Sequence, residues 1–175
     1  MPNKVFIATS LDGFIAQADG DIAFLEIYPP QDNEMGFEDF ISGVDAIVMG
    51  RKTFEKVLCF GIEWPYSKPV FVWSHTLHII PNHLPKNVSI ISGNAEYIHQ
   101  KLNDLSFKNI YIDGAQTIQS FLQANLIDEI TITTVPVLIG NGIALFGNVD
   151  SMKLFKCCQT RLFNNGYVMN QYIKS

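Results

Sequence analysis

Hydrophobic and polar positions follow two patterns along this chain. Short continuous apolar runs predict buried β-strands, and stretches in which apolar residues recur three or four positions apart predict amphipathic helices. The two kinds of segment alternate, which is typical of an α/β fold with a mostly parallel sheet. The predicted strands cover 4–9, 46–49, 68–74, 88–92, 109–113 and a long run that begins at 127; the predicted helices follow 50, cover 95–103 and cover 115–125.

Two regions depart from this alternation. Residues 22–43 predict two short helical pieces that the segment "YPPQDN" interrupts. In the tail, two strand-like runs flank "FNNGY", in which Asn165-Gly166 is a favoured hairpin turn. We therefore predict a single α/β domain over 1–175, whose mostly parallel sheet ends in a C-terminal antiparallel hairpin.

Three of the predicted strands end in glycine, hydroxyl or cationic residues. Ligands of open α/β sheets bind beyond the carboxyl ends of the strands. Three such ends together suit an extended ligand with several phosphates, such as a dinucleotide, although each end alone is equally explained as a turn. The residues are Gly50, Arg51, Lys52 and Thr53 after the first, Ser74, His75 and Thr76 after the second, and Gly114, Ala115, Gln116 and Thr117 after the third.

The cations Arg51 and Lys52 stand at a predicted helix start. A helix N-terminus carries partial positive charge, so cations are disfavoured there. Their placement is explained if an anion such as phosphate binds at this point. The alternative is a solvated helix start with two surface cations.

The composition of the chain disfavours several classes of function. The 175 residues are 47% hydrophobic with a net charge of −5, so we expect neither disorder nor general binding to nucleic acid or acidic membranes. No apolar stretch has the length of a membrane span, the first residues do not form a signal peptide, and the three cysteines suit a reducing compartment. We therefore expect a cytoplasmic protein. The spacing of His75, His78 and His83 suggests a zinc site. Pro81 disfavours an arrangement in which the three imidazoles lie on one face, so we predict no metal site.

Several motifs resemble one known family in its own order. They are "ATSLDGFIA", "IVMGRKTFE", "WPYSKPVFVWSHT" and "IYIDGAQTIQSFLQANLIDEITITTVPVLIGNGIALF", which span 5–147. The chain resembles the dihydrofolate reductase-like superfamily, in the branch named for the C-terminal reductase domain of the bifunctional riboflavin-biosynthesis enzyme. The resemblance implies a three-layer α/β fold and a reductase that uses NADPH. It also suggests a homodimer formed by the C-terminal strands, which could equally belong to the core.

The resemblance implies a role for each strand end. Residues 51–53 would hold phosphates, 74–76 would lie near the adenosine ribose and its 2′-phosphate, and 114–117 would receive the pyrophosphate. Ala8 and the turn at Asp12 and Gly13 would lie beside the nicotinamide.

Two departures from the family pattern bear on the cofactor. His75 replaces a favoured arginine, which leaves the choice between NADPH and NADH open because histidine is largely neutral at pH 7. Gly114-Ala115 replaces Gly-Gly, and the added Cβ could weaken cofactor binding.

The catalytic group and the substrate follow from the same resemblance. "DIAFLE" resembles the segment that carries the carboxylate of bacterial dihydrofolate reductases, which makes Asp21 a candidate proton relay; a helix cap is the alternative. Asp12 is a second candidate, with a turn role as its alternative. The segment before the Gly-Arg element lacks basic residues and the chain lacks a deaminase domain, so we expect an unphosphorylated heterocycle such as a pterin. A riboflavin-pathway ribosylaminopyrimidine reductase, a non-catalytic nucleotide-binding or sensor protein and a structural dimer module stay open as alternatives.

Overall fold

A computed structural model describes residues 1–28 and 35–175 of the chain. Most of the predicted interruption "YPPQDN" lies outside the described residues. On either side of it, the two short helical pieces expected from the sequence are present. They are a 3₁₀ helix over Ala23–Glu26 and the helix α1 over Phe37–Ser42.

The described residues form ten strands and three further helices. The helices are α2 Arg51–Leu58, α3 Ala95–Asp104 and α4 Ala115–Gln123. The strands are β1 Asn3–Ser10, β2 Phe14–Ala16, β3 Ala46–Gly50, β4 Val70–Trp73, β5 Val88–Ile91, β6 Ile110–Asp113, β7 Glu129–Val135, β8 Ile143–Ala144, β9 Phe155–Leu162 and β10 Val168–Lys174. Every strand and helix expected from the apolar pattern is therefore present.

Eight strands form one sheet in the order β5-β4-β3-β6-β1-β7-β10-β9. The five pairings from β5 to β7 are parallel, and β10 runs antiparallel to both of its neighbours. Gly166, with a φ of +85°, turns the chain between β9 and β10, as the Asn-Gly pair predicts. The predicted mostly parallel sheet with a closing antiparallel hairpin is confirmed.

Helices cover both faces of this sheet, which gives three layers. Successive side chains of a strand point to opposite faces. Along β3, Val48 packs in one core cluster with residues of α3 and α4, whereas Ile47 and Met49 pack in another with Phe40 of α1 and Phe54 of α2.

The central strands β1 and β6 separate toward their carboxyl ends. β1 pairs with β6 only at Asn3 and Lys4, but it pairs with β7 along Lys4 to Ser10. A cleft can therefore open beside the middle of the sheet, on the edge where ligands of such folds bind. A small antiparallel pair, β2 with β8, lies outside the main sheet.

Among residues 1–28 and 35–175, no helix is both long enough and apolar enough to cross a membrane.

Candidate functional site

Two strand-to-helix junctions lie side by side at the carboxyl edge of the sheet. Gly50 ends β3 and precedes α2, and Gly114 follows β6 and precedes α4; neither helix start has a side-chain cap. β3 and β6 are parallel neighbours, with Met49 opposite Asp113. The first turns of α2 and α4 therefore present their free backbone N–H groups at the same place.

Each junction glycine packs against a threonine of the other helix. A Cβ added to Gly50 would lie 3.0 Å from Oγ1 of Thr117. A Cβ added to Gly114 would overlap Oγ1 of Thr53, and the φ of Gly114, +86°, also disfavours any other residue. This reciprocal contact joins two helix N-termini and two hydroxyl groups, a donor set that suits an anion.

The two cations at the start of α2 differ in their contacts. Arg51 is exposed and forms an ion pair of 3.0 Å with Glu55, one helical turn further along. Lys52 is exposed and has no hydrogen bond or ion pair with any described residue. Lys52 is therefore the cation of this pair that is free to meet a ligand.

The end of β4 combines a shaped turn with an exposed rim. Ser74 is buried, and its Oγ accepts hydrogen bonds from the backbone N–H groups of Thr76, at 3.1 Å, and Leu77, at 2.9 Å. His75 and Thr76 are exposed. Ser74 thus sets the turn, and the contact of 74–76 with an adenosine ribose stays a prediction.

Asp12 fastens two loops together. Its carboxylate accepts hydrogen bonds from Ser10 Oγ at 2.6 Å, from the Gly140 N–H at 2.7 Å and from the Ile139 N–H at 3.2 Å. The Ser10 hydrogen bond, with the backbone donors, lowers the pKa of Asp12 below its usual value. A carboxyl that is ionised at neutral pH is a poor proton donor, so these contacts support the turn role and disfavour the catalytic one.

Asp21 also makes local contacts. Its carboxylate accepts from the Ala23 N–H at 3.4 Å and from Gln17 Nε2 at 3.2 Å. The N-cap residue of the 3₁₀ helix is Ile22 and the helix has no side-chain cap, so these bonds shape the turn that precedes the helix. A proton relay through Asp21 stays a prediction.

Asp113 is a candidate that sequence reasoning missed. It ends β6 at the cleft, and one carboxylate oxygen accepts from the Gly114 N–H at 2.8 Å. The residue is partly exposed by surface area, yet burial of its carboxyl raises the pKa to about 6. In the sequence, "YIDG" indicates only a strand followed by a turn. The one signal that could have marked Asp113 as a candidate is its position just before Gly114, at the end of a central strand.

Two tyrosines stand beside the Asp113 carboxyl. Burial raises the pKa of Tyr66 above its usual value, and the negative charge of Asp113 adds to this effect. The hydroxyl of Tyr111 also faces Asp113, but its single proton is donated to the carbonyl oxygen of Phe6 at 3.0 Å. This bond leaves the Tyr111 oxygen available as an acceptor for the neutral form of Asp113.

Aromatic rings line the sheet face below Asp113. Phe6 and Tyr111 pack with Phe37 and Phe40 of α1, with neighbouring ring centroids 4.9–6.5 Å apart. Phe37 is 38% exposed, so part of this surface is open to solvent. The arrangement offers an apolar wall of tilted aromatic rings beside one titratable carboxyl.

The parallel sheet, the paired helix starts and the central cleft define a chain of the dihydrofolate reductase-like class, as the sequence predicts. More narrowly, the chain belongs to the RibD C-terminal domain family, whose model matches residues 4–169. It is 30% identical over 173 residues to YwjB of Bacillus subtilis (strain 168), a protein of uncharacterised function, and the match covers 98% of this chain and 97% of YwjB.

Solved structures agree with this assignment. A protein from Shewanella sp. PV-4 with a provisional riboflavin-biosynthesis name is 41% identical, with a TM-score of 0.96, and the match covers 100% of this chain and 99% of that one. Dihydrofolate reductase of Enterococcus faecalis, in complex with NADP(H) and an inhibitor, has a TM-score of 0.66 at 14% identity over 99% of this chain and 96% of that one. The second likeness shows the shared fold alone.

Proposed function

We propose that this protein is an NAD(P)H-dependent reductase that delivers hydride to a small unphosphorylated heterocycle such as a pterin. The observation that carries the proposal is the pair of glycine–threonine contacts that joins the starts of α2 and α4 beside the central cleft. These contacts keep two helix N-termini free for anions at the edge where a dinucleotide binds in related folds.

The residues of this edge fit a nicotinamide dinucleotide. Residues 50–53 and 114–117 would bind the phosphates, 74–76 would meet the adenosine ribose, and Ala8 and Gly13 would border the nicotinamide. When bound, the cofactor supplies the hydride. The protein contributes the position of the two rings, the exclusion of water and a proton.

Asp113 is the group best suited to hold that proton. A pKa of about 6 leaves a fraction of its carboxyl neutral near pH 7, whereas the hydrogen bonds of Asp12 favour the ionised form. The sequence also holds no lysine or arginine between Val5 and Gly50, so α1, β3 and the part of β1 beyond Lys4 offer no cation to a substrate phosphate; Lys4 itself pairs with Glu129. This absence supports an unphosphorylated substrate over the ribosyl phosphate of the riboflavin pathway.

A binding titration tests the proposal. We expect NADPH to raise the melting temperature, since a ligand at 100 times its Kd stabilises the folded state by about 2.7 kcal/mol. Replacing Lys52→Ala should weaken NADPH several-fold because a free cation at the phosphate site is lost.

The matched control is Lys86→Ala, which removes an exposed cation just before β5, at the opposite edge of the sheet. It should bind NADPH like the wild type. No stabilisation by millimolar NADPH or NADH would refute the proposal, and binding without oxidation of NADPH by any pterin or pyrimidine would favour the nucleotide-binding alternative.

We also propose that the protein forms a homodimer through one face of the β9–β10 hairpin. Phe155 and Tyr172 line a groove of about 370 Å³ on this face, together with the half-exposed Phe146 and Val149. The strand register places the cations Lys156 and Arg161 on the opposite face. The face of Phe155 and Tyr172 is the more apolar of the two, although Lys153 lines its groove and the register places Lys174 on it. It is therefore the face that two copies can bury against each other with the smaller cost in desolvated charge.

A further inference from the structure

An aromatic side chain lies across a glycine at the start of α3. Gly93 connects β5 to α3 with a φ of +126°, and a Cβ at this position would come within 2.5 Å of Cδ1 of Tyr97. The backbone N–H of Tyr97 donates to the side chain of the N-cap residue Asn94 at 2.9 Å. Only glycine allows this backbone and this close approach, so the Tyr97 ring packs directly against the chain at Gly93.

Gly93 is fixed from its other side as well. The indole Nε1 of Trp73 donates to the Gly93 carbonyl oxygen at 3.0 Å, and the same indole packs edge-on against Phe121 of α4 at 5.9 Å. The backbone at Gly93, on which the Tyr97 ring packs, is therefore held in place by the hydrophobic core between α3 and α4. Much of the ring is nevertheless in contact with solvent, because Tyr97 is 53% exposed.

This ring stands at the same edge as the proposed cofactor site. β4 and β5 are parallel neighbours, and Trp73 lies opposite Ile91. The N–H of Ser74 donates to the Ile91 carbonyl oxygen at 3.0 Å, so the turn 74–76 and Gly93 follow adjoining strand ends. The adenosine half of a dinucleotide that reaches 74–76 arrives beside Tyr97.

We propose that Tyr97 is the stacking surface for the purine base of the nucleotide, supported by Gly93 and Trp73. The inference rests on the proposed function, because it assumes that the adenosine end lies at the carboxyl ends of β4 and β5. A base gains binding energy by stacking on an aromatic ring that is already held in place, since little side-chain freedom is lost. The Lys101 ammonium lies over the ring, 5.9 Å from its centroid, and this exposed side chain has to move aside for a stacked base.

Calorimetric titration with 2′-phospho-ADP-ribose isolates this contact, because the probe contains the base and the phosphates but no nicotinamide. We expect Tyr97→Ala to weaken the probe about tenfold. Tyr97→Phe should bind within twofold of the wild type because it keeps the ring. Tyr97→Leu, which still covers Gly93 but has no π-face, should lose affinity as Tyr97→Ala does, and it tests stacking even if Tyr97→Ala folds poorly. Phe60→Ala, which removes an exposed ring beyond the last turn of α2, should have no effect.

The outcomes separate this inference from the function on which it rests. If the folded Leu variant binds the probe like the wild type, or if Tyr97→Phe loses as much as Tyr97→Ala, stacking on Tyr97 is refuted while NADPH binding by the wild type still supports the reductase. If the wild type binds the probe in a Tyr97-dependent manner but never oxidises NADPH, the stacking surface stands and the reductase proposal falls. If the wild type binds neither nucleotide, both are overturned.

Discussion

Asp113 combines an ordinary strand position with an unusual environment for a carboxyl group. It continues the backbone of β6, while Tyr66 and Tyr111 remove much of the water around its side chain. The neutral acid is favoured in such a place because an ionised oxygen would lose its solvation. One residue therefore links the stability of the fold to the chemistry proposed at the cleft.

The stability of the protein should depend on pH through Asp113. The folded chain holds this proton up to a pKa of about 6, whereas an unfolded aspartate releases it near its ordinary pKa of 3.8. Because the folded state binds more protons between these values, stability falls as the pH rises through this window, by at most about 3 kcal/mol. Asp113→Asn should lack this loss, which urea unfolding at pH 4, 5, 6 and 7.5 would measure.

The control for this comparison is Asp104→Asn, which changes an exposed carboxylate at the end of α3. It should retain the wild-type dependence on pH. Parallel pH curves for the wild type and Asp113→Asn would show that Asp113 is not held neutral in the folded state. In a turnover assay, the wild-type rate should also decline above about pH 6 if Asp113 donates the proton.

The junctions that begin α2 and α4 act as a pair rather than as two separate turns. Each one needs a glycine because the other helix brings a threonine against it. A substitution in one junction should therefore alter the packing and the stability of the other.

Gly114→Ala should destabilise the fold and weaken nucleotide binding. The new Cβ meets Thr53 Oγ1, and the positive φ adds a backbone cost of about 1–3 kcal/mol. Gly140→Ala is the matched control, since Gly140 has a φ of +75° with open space around it and should show the backbone cost alone. Unfolding free energies from urea titration would compare the two.

A second variant isolates the contact itself. Thr53→Ala removes the hydroxyl, so the combination with Gly114→Ala should restore part of the lost stability. Strictly additive effects of the two substitutions would mean that the contact does not govern the junction.

Element type and order follow from the sequence because apolar periodicity is a local property. The helix expected over 115–125 ends at Gln123, since Asn125 takes a left-handed backbone conformation with a φ of +59°. The strand expected from 127 onward ends at Val135, because Pro136 has no N–H to donate. These differences concern ends, where side-chain periodicity says least.

The site was only partly predictable for a related reason. The glycines, hydroxyls and cations of the strand ends could be recognised in the sequence, and the structure brings two of the three ends into contact. Asp113 and Tyr97 could not be recognised in this way. Their environments are formed by Tyr66, Gly93 and Trp73, which either lie far away in the sequence or belong to no recognisable motif. Asp12, by contrast, has a clear turn signal, and its observed bonds agree with that simpler role.

At the scale of the whole molecule, the proposed dimer depends on the surface of the β9–β10 hairpin. β9 is the last strand of the sheet, and Lys156 to Leu162 are all exposed. Charged side chains on such an edge oppose continued strand pairing. The more apolar face of the hairpin, which carries Phe155 and Tyr172, is the surface that we assign to the dimer.

Phe146→Asp should therefore convert a dimer to a monomer. Phe146 is 51% exposed at the groove, and a carboxylate in the interface would lose both its solvation and the apolar contact of the ring, even with Lys153 in the same groove. Light scattering after size exclusion would measure the mass. Gln159→Asp, on the exposed edge strand and the opposite face, should leave the mass unchanged, and a wild type that is monomeric at high concentration would contradict the assignment.

The contacts between the segments at 10–16 and 137–145, beside the cleft, also bear on how this protein could be redesigned. Asp12 binds the loop at 139–140, the Leu145 N–H donates to the Gly13 carbonyl oxygen at 3.0 Å, and β2 pairs with β8. The segments at 10–16 and 137–145 are thus a single transplantable unit. A loop graft from a relative that replaces one without the other would leave backbone donors and acceptors unpaired, so a change of substrate range has to exchange both together.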